Sequence, residues 1–110
     1  MAGAGSLKNT IVGKLAATEG DLHTVASLTL RQIRKIVLSN THASNVNQVK
    51  LYARLSGSAS SYQLFDRKLQ PGDIAIIEAF DLDIGDKIRG VATNADQVDY
   101  MISLHRESVF

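Results

Sequence analysis

The sequence predicts an all-β fold, an antiparallel β-sandwich of jelly-roll type with about eight short strands. Three observations carry that expectation. In LDIGDKIRGVATNADQVDYMISL, residues 82–104, Ile88, Gly90 and Ala92 take alternate positions and a polar cluster, Thr93-Asn94-Ala95-Asp96, follows. Val98, Tyr100, Ile102 and Leu104 then alternate with Gln97, Asp99, Met101, Ser103 and His105. Period two marks a half-buried strand, and the three- and four-residue spacing of an amphipathic helix is missing. The stretch reads as an antiparallel hairpin lying on a core. Second, Val49, Leu51, Ala53 and Leu55 alternate with Gln48, Lys50, Tyr52 and Arg54. Third, turn-forming clusters recur at hairpin spacing, and two of them share the pattern L-x-x-G-D, at residues 69–73 and 82–86. In each, glycine takes positive φ at no steric cost and aspartate can accept a bond from a nearby backbone N–H.

The remaining elements follow in chain order. Residues 1–10, MAGAGSLKNT, are small and polar and offer too little apolar surface to order alone, so they read as a flexible arm before a single domain at 11–110. Residues 11–17 form a first strand with Gly13 inside it, Thr18-Glu19-Gly20-Asp21 a turn, and residues 22–25 a short second strand. The stretch LRQIRKIVLSNT, residues 30–41, is the longest β-like run. Under perfect alternation Ile33, Ile36 and Leu38 cannot share one face. A bulge near Arg34-Lys35 restores the phase, while an amphipathic helix over residues 30–38 is the competing reading. Residues 40–47, rich in Asn, Ser and Thr, read as a loop, and residues 56–61, SGSASS, as a flexible connection. A strand at 62–69, a Pro71-Gly72 turn and a strand at 73–80 with the run Ile74, Ala75, Ile76, Ile77 complete the set.

Composition narrows the function. The chain has 110 residues, enough for one packed domain, and no cysteine, which removes disulfides, thiolate metal sites and a cysteine nucleophile. Twelve basic against eleven acidic residues leave a net charge of +1, too small to predict a specific nucleic-acid or anionic-membrane partner. No apolar run reaches the roughly 18 residues of a membrane span, and the first residues lack the apolar core of a secretory signal, so synthesis in a cytoplasm is the expectation.

Chemistry-bearing patterns are weak. Asp81, Asp83 and Asp86 crowd around Gly85, but glycine precedes the third aspartate and Ala92 stands where a calcium loop needs its bidentate glutamate, so they read as turn residues. His23, His42 and His105 lie far apart, without the spacing of a zinc site. Ser56, Ser58, Ser60 and Ser61 lie outside any G-x-S-x-G elbow, and the same loop lacks the lysine of a phosphate loop. Neither an enzyme nor a cofactor is expected. Lys50, Tyr52 and Arg54 form a basic and aromatic stripe on the polar side of one strand and, with Lys8 of the arm, are the candidate interface residues. Tyr52 and Met101, both on nominally polar sides, hint at a second apolar contact.

The order of elements resembles a group of small β-sandwich virion proteins of tailed bacteriophages, of the capsid decoration or cement type. The matching stretches are LHTV (22–25), IVLSNT (36–41) followed by VKLYARL (49–55), LQPGD (69–73), and LDIGDKIRGVATN (82–94) closing with VDYMISL (98–104). Proteins of that group carry a Pro-Gly turn after the second strand, where this chain has Ala26-Ser27-Leu28-Thr29. The shared positions are turns and core, so no functional residue is carried over. The resemblance implies a protein of the virion, made in the host cytoplasm, that binds the major capsid protein as a symmetric homo-oligomer such as a trimer. A neck, tail or fibre-associated role is the alternative within that setting. A small carbohydrate-binding module is a further one, disfavoured by six aromatic residues and no tryptophan.

Overall fold

The computed structural model describes residues 10–25, 32–78 and 80–105. Residues 1–9 of the expected arm, with Lys8, and residues 26–29, where the resemblance departs, lie outside the described residues, while Thr10, expected in the arm, opens the first strand. The strands are β1 (Thr10–Lys14), β2 (Gly20–Thr24), β3 (Gln32–Asn40), β4 (Asn47–Arg54), β5 (Ser61–Leu69), β6 (Ile74–Ile77), β7 (Phe80–Asp81), β8 (Lys87–Ala92) and β9 (Val98–His105). One sheet has the order β1-β9-β3-β6, with β7 also on β3, and the other the order β2-β8-β4-β5, all pairs antiparallel. The chain is an all-β sandwich. Its sheet order is that of a jelly roll, because β6 and β7 are one interrupted strand: Ile77 faces Ile36 and Phe80 faces Ile33 without a break in register.

The long third strand resolves as the bulge requires. Pairing with β9 shifts between Ile33 and Lys35, and the extra residue, Arg34, brings Ile33, Ile36 and Leu38 to full burial. The helix reading fails there, since β3 pairs on both sides and gains two ladders of backbone bonds. The hairpin expected at 82–104 is corrected. Both strands form, but β8 pairs with β2 and β4 whereas β9 pairs with β1 and β3, so the connection crosses from one sheet to the other. Period two fixes which side of a strand is buried and says nothing about its neighbour. The crossing is held by bonds to third parties: the Asp96 N–H donates to Leu15 O at 2.9 Å and the Asn94 N–H to Asn47 Oδ1 at 2.9 Å. Two smaller corrections concern ends. The expected turn at 18–21 is shorter, because β2 already starts at Gly20, and Leu55 is 46% exposed because β4 stops at Arg54.

Between the sheets lie Leu15, Val25, Ile33, Ile36, Leu38, Val49, Leu51, Leu69, Ile88, Val98, Ile102 and Leu104. Leucines of the two neighbouring strands close over Gly90, where a Cβ would stand 2.9 Å from the Leu22 and Leu51 side chains. The two L-x-x-G-D turns have the same wiring. Gly72 and Gly85 take φ of 84° and 91°. The Asp73 carboxylate accepts from the Gln70 N–H and that of Asp86 from the Asp83 N–H, each at 2.8 Å, while each aspartate N–H returns to the carbonyl of the same residue. Positive φ at the third position and a buried leucine before it make both turns structural pins.

Candidate interaction faces

The residues singled out in β4 alternate, so Lys50, Tyr52 and Arg54 leave the outer side of the β2-β8-β4-β5 sheet together. The ladders set their neighbours. Tyr52 lies between Arg89 and Gln63, Arg54 between Lys87 and Ser61, and Lys50 between Val91 and Asp66. Beyond them, Arg89 Nε bonds Glu19 at 2.8 Å and its Nη1 bonds Asp21 at 2.6 Å, while Lys87 bonds Asp21 at 3.2 Å. The hydrogen bond from Lys87 holds the Asp21 carboxyl below the usual carboxylate range, offset in part by burial. These bridges lie at the surface, with Arg89 the most covered partner, and they fix a charged rim around Tyr52. Arg54 Nε is buried and, among the described residues, has no hydrogen-bond partner. Lys8 is outside the described residues. Spacing within one strand reveals Lys50, Tyr52 and Arg54; Glu19, Asp21, Lys87 and Arg89 come from other strands, and only the ladder unites them.

The outer side of the opposite sheet is of another kind. Val12, Met101, Val37 and Ile76 face one another in a single row across all four strands, and Lys14, Asp99, Ser39 and Ile74 form the next row. Val12, Ile74 and Ile76 are 70%, 61% and 56% exposed. A shallow groove of about 390 Å³ runs over Val12, Val37 and Met101, with the Lys14–Asp99 ion pair, 2.7 Å, at its rim. That bond raises the Lys14 pKa above its ordinary value. Met101 and Tyr52 are thus on opposite faces of the molecule and do not share a contact. The unbroken run Ile74-Ala75-Ile76-Ile77 shows one strand's share of this row, and only the ladder brings the residues of the other three strands to it.

Potential reacting groups are engaged in folding. Asp86 accepts from the Ser56 N–H and the Asp83 N–H through its two oxygens, both at 2.8 Å. His42 Nδ1 accepts from the Ser44 and Asn45 N–H groups and closes a loop. His23 is half-buried, and desolvation lowers its pKa below 6.5. Among the described residues, no group of three or more His, Asp or Glu side chains could hold a metal ion, and no helix is long and apolar enough to cross a membrane. The two tyrosines of a conceivable sugar platform diverge. Tyr62 pairs with inward-facing Ala53 while Tyr52 points outward, so their rings lie on opposite sides of one sheet.

Comparison of the chain with protein-family models, with curated proteins and with solved structures finds no match.

Proposed function

We propose that this protein is a structural component of a tailed-phage particle, a capsid decoration protein that binds the assembled shell and stabilises it without chemistry. The observation that carries the reading is the charged face around Tyr52, where Lys50, Tyr52 and Arg54 stand outward on one strand beside the ion pairs of Arg89 with Glu19 and Asp21. Tyrosine and arginine at the centre of a rim of Lys50, Lys87, Arg89, Asp21 and Glu19 have the make-up of an interface anchor. A rigid jelly roll holds this face flat, and binding the assembled lattice in preference to free subunits stabilises it by mass action, with multivalency strengthening weak single contacts. The resemblance to decoration proteins supplies the partner, the major capsid protein.

The test is co-sedimentation of the purified protein with expanded and unexpanded phage shells. Saturable binding, lost by tenfold or more in a Tyr52→Ala, Arg54→Ala variant of unchanged melting temperature, supports the proposal. Absence of shell binding, with a few copies found in each particle, moves the protein to the neck, tail or fibres.

A further inference from the structure

We infer that the outer face of the β1-β9-β3-β6 sheet is a twofold self-association surface, occupied by the same face of a second copy of this chain. The inference stands on sheet geometry alone and does not need the shell-binding reading. Its centre is the row Val12, Met101, Val37 and Ile76, extended by Ile74. Three of these side chains are more than half exposed, and the row is continuous across the sheet, unlike the scattered apolar residues of an ordinary surface.

The occupant follows from the arrangement of charge. On either side of the apolar row lie Lys14, Asp99 and Ser39 at one end and Thr10, Ser103 and Lys35 at the other. A twofold axis along the row sets Lys14 over the partner's Thr10, Asp99 over the partner's Ser103 and Lys35 over the partner's Ser39. A twofold axis along the strands sets β1 over β6 and β9 over β3, so Lys14 meets the partner's Ile74, Asp99 the partner's Ser39 and Lys35 the partner's Ser103. In both arrangements apolar row meets apolar row and no like charges oppose among the residues of these rows, an electrostatic condition for a face to bind itself. Among the described residues the outward rows of this sheet carry no aromatic side chain, so the contact has no large anchor and rests on aliphatic area.

Area sets the strength. Strands about 4.8 Å apart, with outward residues repeating every 6–7 Å, give this face on the order of 500 Å² per copy. A standard interface buries about 800 Å² per partner, so the dimer is reversible and concentration-dependent. Association by edges is less favoured at β5, where Asp66, Arg67 and Lys68 are exposed along an edge strand.

Sedimentation equilibrium of the full chain across a wide concentration series tests the inference. The expected result is a monomer–dimer equilibrium that Val37→Asp with Ile76→Asp weakens by at least tenfold, with circular dichroism unchanged. Val12→Lys, on the edge strand and the most exposed of the set, gives the same direction should the double variant fold poorly. Tyr52→Ala, on the opposite face, leaves the equilibrium unchanged. A monomer at every concentration overturns the inference, whether the face is then bare or covered by another segment or a foreign protein. An oligomer that survives both face variants overturns it equally, as does a trimer.

Discussion

Two asparagines do more for this fold than their residue type announces. Asn40 and Asn47 are fully buried. Asn40 Nδ2 donates to Asn45 O at 2.8 Å and Leu69 O at 2.9 Å, and its Oδ1 accepts from the His42 N–H and Asn47 Nδ2. Asn47 reaches Gln97 and accepts from the Asn94 N–H. Together they join the end of β3, the start of β4, the end of β5 and the crossing after β8. Asn40→Ala strands several buried polar groups and is predicted to cost about 2–4 kcal/mol in urea unfolding, with Asn47→Ala close behind and the double variant less than additive. In the sequence these residues read only as loop formers, because a network of single residues from four segments has no period. His23 carries a second prediction at this scale. Burial disfavours its imidazolium, so its folded pKa lies below 6.5. As pH falls below 6.5 the unfolded chain takes up the proton more readily than the folded one, and stability declines until the folded pKa is passed. The melting temperature should therefore fall between about pH 7.5 and pH 5.5, and His23→Gln should flatten part of that decline.

At the scale of elements, strand existence was legible and strand partnership was not. The bulge at Arg34 follows from three apolar residues that alternation alone cannot reconcile, and the paired turns follow from a glycine before an aspartate. The pairing of β8 and β9 did not follow, because a five-residue polar segment fits a hairpin loop and a sheet-to-sheet crossing equally well. The twin turns also separate two causes of glycine preference. Gly72 needs positive φ but has open space, so Gly72→Ala should cost about 1 kcal/mol. Gly85 needs positive φ, and a Cβ there would stand 2.6 Å from Ser56 Oγ. Gly85→Ala should therefore cost more than its twin, as thermal unfolding of the two variants would reveal.

For the whole molecule, the sandwich separates two surfaces that the sequence interleaves. Each strand contributes one row inward and one outward, so Tyr52 and Met101, read together as hints of a contact, belong to opposite faces. The charged stripe of Lys50, Tyr52 and Arg54 was visible because it lies within one strand. The apolar row of Val12, Val37, Ile76 and Met101 was not, since it draws one residue from each of four strands distant in sequence. A molecule with a self-complementary apolar face and a charged anchor face can pair with its own kind and still hold a lattice. The most direct measurement of that account is calorimetry of expanded phage shells titrated with the protein. The account predicts a saturable rise in shell melting temperature that Tyr52→Ala with Arg54→Ala removes; a shell transition unmoved at saturating wild-type protein would contradict it.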